Sequence, residues 1–416
     1  RVRKVSSFIH REREWIVSFL AIEAANLALI LTVLKPGYII NADHPCRLSE
    51  AWYVAEVLVP RYNRLMGWDP FLFAGFPVLK LGPSFFGIFL VVSVYYLTLR
   101  LSIVLAYNIV IAGVYLLFPA SIYFFTRKLG LDWHAAAATS VFACFTAGPF
   151  PNFVYFSPFT SIFVVGVWPF TLGLTLAFMA TAKLIDCLEA KSIKDLLLTS
   201  ILASLVALTN ILTAFMLGVL CLAYIGSKLI QAHSLRGVVV FSKNLLLSGL
   251  VVLIALVLAA FWVFPFVASR DYWLLLYVEP PNEPERTWVT LYPFVMPFAP
   301  QLSSAPGGWI FQYFYDYSFV TIWALGMMGF IWSLRKWKSK MLMLVIALFF
   351  GLVFARGNFS PPVTQCLRFL DFVKVIWFYF AGFFVHEASG FLGSKVAKWI
   401  APEDVAFKRV VTVNFM

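Results

Sequence analysis

Charge is what this sequence has least of. Only 12% of its 416 residues are Asp, Glu, Lys or Arg, and 62% are hydrophobic, against about 45–50% apolar in soluble domains. With a mean hydropathy of +0.87, a soluble globular protein is excluded. Cysteine is scarce too. The five present, Cys46, Cys144, Cys187, Cys221 and Cys366, include no C-x-x-C pair, which leaves no zinc ribbon and no dithiol redox centre. There is no G-x-x-x-x-G-K-[ST], so ATP-driven transport by this chain alone has no support, and no H-E-x-x-H or G-x-S-x-G to suggest a protease or esterase. No fixed-period repeat and no low-complexity tract occurs.

What remains is a series of apolar runs, roughly 17–25 residues long, rich in Leu, Val, Phe and Ala. These are helical membrane spans, since the alternating pattern of an outer-membrane barrel is missing. The expected fold is all-α, a polytopic transmembrane bundle. Basic residues exceed acidic ones, 32 to 20, for a net charge of +12. They lie beside the spans, as Arg1, Arg3, Lys4, Arg11 and Arg13 do, and again Arg335, Lys336, Lys338 and Lys340. That is a topology signal, and nucleic acid is not an expected partner. Membrane lipids are.

The positive-inside rule sets residues 1–14 in the cytoplasm and the chain in the plasma membrane. Span one is Trp15 to Leu34, too long for a signal-peptide core and without a small-residue cleavage site. Because the first residue is Arg1 and not Met, the natural ends are expected to lie beyond these residues. Further spans are expected at Ser84–Leu99, Ser102–Phe125, Ala135–Ala147, Ser161–Leu184, Leu196–Ile230, Leu245–Val267, Tyr317–Leu334, Met341–Phe354 and Phe369–Leu392. Leu196–Ile230, interrupted at Thr209-Asn210, is taken as one broken crossing, because about ten spans put two long loops, 35–83 and 269–316, on the same outer face. That choice sets Arg127-Lys128 and the Lys183 to Lys194 connector outside, against the charge rule. The span domain runs 15–393, and 394–416 is a cytoplasmic tail. Glu23, midway along span one, is expected to face the bundle in a structural pair. Cys46 and Cys366 share the outer face, where a disulfide or two free thiols are both open.

Ionisable side chains concentrate between Asn41 and Pro83. Asp43 stands just past span one at the lipid–water border, where a carboxylate can take a proton from an acceptor hydroxyl or help hold a divalent cation. Asp before a Pro-containing turn is also ordinary loop chemistry. His44 can ligate a metal or orient an acceptor, or be a plain surface residue. From Arg47 to Arg64 the apolar positions recur at three-to-four spacing, predicting an interfacial helix with Trp52 and Tyr53 at headgroup depth. It is either a simple anchor or the wall of a lipid groove whose arginines, Arg61 among them, attract phosphate. Arg368, Asp371 and Lys374 fall on one helix face, as a packing pair or as a cationic lipid-phosphate site. The second loop carries Arg270, Asp271, Glu279, Glu283, Glu285 and Arg286, which need only be solvated.

With these features in hand the chain resembles the GT-C superfamily of membrane glycosyltransferases, and within it the membrane family labelled 6-pyruvoyl-tetrahydropterin synthase-related. The likeness rests on the outer loop with Asp43-His44, then G-W-D-P-x4-G-F-P over Gly67 to Pro77, Val167-Trp168-Pro169-Phe170-x-x-Gly173-Leu174, and Ala207-Leu208-Thr209-Asn210-x-x-Thr213-Ala214. It implies a polyprenyl-phosphate-linked sugar donor, an acceptor on the outer face and Asp43 as base, with His44 beside it. Arg368, Lys374, Arg61 and Lys80 are then the candidate cations for the lipid phosphate. The sequence departs from relatives in having Asn210 where His is frequent, and no second acid directly beside Asp43. No metal site is therefore assigned, a divalent cation being the one cofactor weighed. The alternative is a non-catalytic GT-C-like subunit that anchors or assembles a cell-surface structure through a membrane or surface protein partner.

Overall fold

The computed structural model describes residues 17, 19–28, 30–31, 43–72, 76–79, 84–145, 162–163, 166–231, 235–268, 309–335, 339–355 and 369–400. Thirteen helices are named in chain order. They are α1 (Phe19–Ala28), α2 (His44–Tyr53), α3 (Val59–Tyr62), α4 (Phe85–Leu97), α5 (Ile103–Lys128), α6 (Trp133–Phe145), α7 (Trp168–Ala190), α8 (Ile193–Thr209), α9 (Ile211–Ile230), α10 (Leu235–Ala268), α11 (Trp309–Ser333), α12 (Ser339–Ala355) and α13 (Phe369–Ile400). A π-helical turn, Val54–Leu58, joins α2 to α3. Among the described residues five helices are long and apolar enough to cross a membrane, within α5, α7, α9, α10 and α13. The α7 window is 83% buried and that of α10 only 22%. The first is therefore the central pillar, and the second lies on the rim with its apolar face turned outward.

Local chemistry sets the helix ends. Ser102 accepts from the Leu105 N–H to start α5, and Ser192 from the Asp195 N–H to start α8. Lys191, left-handed at φ 54°, ends α7. Asn210, extended at φ −161°, stops α8 and caps α9 by accepting from the N–H groups of Leu212 and Thr213. In lipid no hydrophobic force drives helix to helix, so close packing does the joining. Gly329 of α11 shows how close it is: a Cβ there would lie 1.9 Å from the Phe380 carbonyl oxygen of α13.

Contacts at either end of α7 give every neighbour a direction. At its start Trp168 donates to the Tyr107 hydroxyl, early in α5, and Gly173 lies against Thr213, early in α9. Near its far end Asp186 meets Lys128, the last residue of α5, at 2.6 Å, and Glu189 meets Tyr224, late in α9, at 3.4 Å. Helices α5, α7 and α9 thus run the same way. Lys183–Asp195, at 3.9 Å, starts α8 at the far end, so α8 runs back and α9 returns. The single broken crossing expected over Leu196–Ile230 is a hairpin of two helices. Lys340, at the start of α12, also reaches the far end, 3.1 Å from Glu189 and donating to the Lys128 carbonyl at 2.8 Å. Asp132, just before α6, meets His386 of α13 there at 3.0 Å.

Helix α4 departs from expectation more sharply. Its exit is turned back by two left-handed residues, Leu99 (φ 53°) and Arg100 (φ 61°). Arg100 bonds Glu56 of the π turn at 2.7 Å, Tyr95 bonds the same carboxylate, and Tyr96 donates to the Ala55 carbonyl at 2.8 Å. The exit of α4 therefore stays with the 44–62 segment, and its start lies at the same end of the bundle, Gly87 packing against Trp168, which bonds Tyr107 early in α5. Arg127 and Lys128 consequently sit at the end opposite His44, not on its side as expected.

Candidate functional site

The site is built on the entry to α2. Asp43 is its N-cap residue, but at φ −81°, ψ −9° its own backbone is already helical and its side chain caps nothing. Pro45 in the first turn brings no N–H to compete for it. The carboxylate of Asp43 is exposed.

His44 is the opposite case, only 1% exposed. Its Nδ1 lies 2.8 Å from the Tyr107 hydroxyl of α5, and Tyr107 in turn receives the Trp168 indole N–H of α7 at 2.9 Å. Burial holds the imidazole below its usual ionisation range, although the Phe163 carbonyl, the Asp43 carboxylate and the Ile162 carbonyl all pull the other way. These carbonyls are felt electrostatically, yet neither makes a well-formed bond to the buried Nε2. Gly166 closes the site from behind with φ +80°. A Cβ there would come within 2.7 Å of the His44 amide nitrogen and 3.1 Å of the Asp43 carbonyl carbon, so only glycine fits. His44 is thus a clamped interior residue and not a group that meets solvent.

One turn on, Arg47 pairs with Glu50 at 2.9 Å, and Glu50 is 2% exposed. Burial alone would weaken the guanidinium's hold on its proton, but Glu50 foremost, together with Cys46 and Asp43, outweighs it and raises Arg47 above its usual range. Arg47 shares the electrostatic neighbourhood of Asp43 and Tyr107. Cys46 between them carries a free thiol, which burial first, then Glu50, pushes up to about 11. Its envisaged partner Cys366 lies outside the described residues.

The G-W-D-P-x4-G-F-P run forms a two-stranded antiparallel hairpin, β1 (Gly67–Asp69) with β2 (Phe76–Val78), which sets Trp68 opposite Pro77. Asp69 is 1% exposed, and its Oδ1 accepts the Phe71 N–H at 2.8 Å, the hydrogen bond of an Asx turn. Tyr53 is buried and donates to the Trp68 carbonyl at 2.8 Å. Trp52 on the other side of α2 is exposed. On the far side of the hairpin, Trp262 of α10 donates to the Leu79 carbonyl at 2.8 Å.

Of the candidate cations, Arg61 and Lys374 lie among the described residues. Arg61 is exposed at the end of the 44–62 helical segment, roughly 25 Å from Asp43 at 1.5 Å per residue, so the two do not share one phosphate. Lys374 is half-buried early in α13, its Nζ 5.6 Å from the Phe378 ring centroid. Arg368 and Lys80, and the second loop with Arg270 to Arg286, lie outside the described residues, as does the side chain of Asp371. The structural pair expected of Glu23 does not occur among the described residues. Among the described residues its Oε1 is buried without a hydrogen-bond partner, and so are both amide atoms of Asn26. No group of three or more His, Cys, Asp or Glu able to hold a metal occurs among the described residues. Sequence reasoning overlooked Tyr107, Gly166, Glu56 and Arg100. It noticed Trp168 only as part of a motif, and nothing in the motif shows which distant hydroxyl the indole meets.

Comparison with solved structures now decides the architecture. The archaeal oligosaccharyltransferase AglB from Archaeoglobus fulgidus, in complex with an inhibitory peptide and a dolichol-phosphate, superposes with a TM-score of 0.58 at 14% identity over 97% of this chain. The fold is similar to that of this oligosaccharyltransferase. The Archaeoglobus fulgidus oligosaccharyltransferase tethered to an acceptor peptide containing the NVT sequon gives 0.53 at 14% identity over 96% of the chain, and its complex with Zn and sulfate 0.54 at 14% over 95%. The chain spans about half the length of these proteins, 54%, 53% and 52% respectively. No family model matches it, so the narrower likeness to the 6-pyruvoyl-tetrahydropterin synthase-related family finds no support there. No curated protein matches it either.

Proposed function

We propose that this chain is a membrane glycosyltransferase of the GT-C type, moving a sugar from a polyprenyl-phosphate-linked donor to an acceptor on the outer face of the plasma membrane. The observation that carries the reading is the Asp43 carboxylate, exposed and engaged in no cap at the entry to α2, in a fold similar to one solved with a dolichol-phosphate. In this scheme Asp43 takes the proton of the acceptor hydroxyl as that oxygen bonds to the anomeric carbon. The bond from that carbon to the phosphate oxygen breaks, and its electron pair leaves with the lipid phosphate. Cations stabilise the departing charge. Arg47 on α2 is the described guanidinium in the electrostatic neighbourhood of Asp43. Arg368, Lys374 and Lys80 are proposed to join it, whereas Arg61 is too far along the segment.

The membrane topology proposed with it makes α1 and α5 to α13 the ten crossings and extends the first outer loop through α4. Two changes compensate: α4 is removed as a crossing, and α8 and α9 are counted separately. The far end of α7 is then cytoplasmic, and Arg127, Lys128, Lys183, Lys191, Lys194, Lys228, Arg335, Lys340 and Lys395 all fall toward it, as the charge rule demands. Helix α1 runs toward the site end, since Phe19 lies on Tyr123 and Phe124 late in α5. The N-terminus is accordingly cytoplasmic.

The test is transfer by purified protein in lipid nanodiscs, with radiolabelled polyprenyl-phosphate sugars and a panel of hydroxyl and amide acceptors. Asp43→Asn should lower turnover by about 10²–10⁴-fold with thermal stability unchanged. Wild-type turnover in that variant removes Asp43 from the reaction.

A further inference from the structure

We infer that Tyr107, itself held by Trp168, is a positioning residue that fixes His44 as one neutral tautomer and so keeps the neighbouring Asp43 carboxylate unmasked. The inference deepens the proposed transferase reading and rests on it for the role of Asp43, but not for the state of His44.

Hydrogen counting gives the tautomer. An indole N–H can only donate, so the Tyr107 oxygen accepts from Trp168 at 2.9 Å. The hydroxyl hydrogen of Tyr107 is then left for His44 Nδ1 at 2.8 Å, which must offer a lone pair. The reverse arrangement, Nδ1–H donating to Tyr107, would strand a hydroxyl hydrogen in a residue 2% exposed. The proton of neutral His44 therefore sits on Nε2, where the Phe163 and Ile162 carbonyls bond it only weakly but would repel the lone pair that the other tautomer puts there. From behind, Gly166 fixes the backbone of Asp43 and His44 by close approach. Ring and backbone are thus both held, and the one side chain of the pair left unengaged is Asp43.

The consequence concerns charge. The groups that act on this corner are Asp43, Cys46, Arg47 and Glu50 of α2 and Tyr107 of α5, with Asp69 acting on Cys46. Arg47 is already committed to Glu50 at 2.9 Å. If His44 were protonated, its imidazolium would be a cation adjacent to Asp43 and would draw the carboxylate into an ion pair, where it cannot act as a base. The Tyr107 hydroxyl, by occupying Nδ1, favours the neutral ring and prevents this.

The direct experiment is nitrogen NMR of ¹⁵N-histidine protein in nanodiscs. The chain has five histidines, and the signal missing from His44→Gln assigns His44. Expected is an Nε2–H tautomer that stays neutral to lower pH in the wild type than in Tyr107→Phe, whose signal titrates at higher pH. An Nδ1–H tautomer in the wild type, or identical titration in the two proteins, overturns the inference. Transfer then tests positioning. Tyr107→Phe should lose about tenfold or more in kcat near pH 6 and recover near pH 8, with donor KM unchanged. A loss of equal size at every pH, or no loss at any, overturns the positioning role. If the NMR result is as expected and no acceptor is glycosylated by the wild type, the clamp stands and the transferase reading fails.

Discussion

Gly166 offers the sharpest test of the site's geometry. Alanine there has two penalties. Its φ of +80° is a conformation that L-residues avoid, at about 1–2 kcal/mol. Its Cβ would also meet the His44 amide nitrogen at 2.7 Å, where ordinary contact begins at 3.4 Å, so the start of α2 must recede by about 0.7 Å. Recession of that size stretches the 2.8 Å His44–Tyr107 bond out of hydrogen-bonding range, leaving buried polar atoms unpaired at about 1–3 kcal/mol. The expected destabilisation is therefore about 2–5 kcal/mol, in the range of diagnostic single substitutions. Thermal unfolding of Gly166→Ala in detergent should be compared with Gly218→Ala. Gly218 lies in α9 with nothing within 4 Å of the added carbon, and alanine there should be neutral or stabilise by up to about 1 kcal/mol. A Gly166→Ala midpoint equal to that of Gly218→Ala or the wild type would refute the close approach.

Three further outcomes are expected. Burial depresses the ionisation of His44, so below about pH 6.5 the unfolded chain takes up a proton that the folded one resists. Stability present above that pH should fall as the pH is lowered through and below it, and a set of unfolding midpoints across pH should show a shallower fall for His44→Gln. The Cys46 thiol, raised from 9.0 to about 11, should be alkylated by iodoacetamide about 100-fold more slowly near pH 8 than an ordinary thiol; a rate like that of a small-molecule thiol would contradict its burial. Glu56→Gln removes the partner of Arg100 and Tyr95. Because Arg100 is exposed the stability change should be small, while trypsin should cut after Arg100 faster than in the wild type.

The helical class and the membrane setting were legible in the sequence, because composition and run length respond directly to the bilayer. Direction of travel was not. Helix α4 is as apolar as a crossing, and only the left-handed pair Leu99 and Arg100, bound back to Glu56, shows that it turns round. Asn210 looked like a flaw in one long helix; its side chain caps α9, and the contacts Gly173–Thr213 and Lys183–Asp195 reveal two strokes. The basic residues stranded outside by the sequence-based count were the warning, and they are satisfied once both points are corrected. At the site, Asp43 stood out because an exposed acid near a membrane rim is visible in a sequence. His44 beside it read as a ligand, an orienting group or a plain surface residue. Its burial depends on Tyr107 and Trp168, which lie 63 and 124 positions away, a relationship no local pattern encodes.

The charged knot around Asp186 and Glu189 has a consequence for biogenesis. Lys340 reaches Glu189 at 3.1 Å and the Lys128 carbonyl across 212 positions of sequence. A ribosome that has delivered everything through α10 has produced a half-bundle whose acidic partner for that lysine is already in place and still waiting. The final stitch belongs to a helix made late, so nascent chains halted before α12 should be the ones that quality-control proteases recognise.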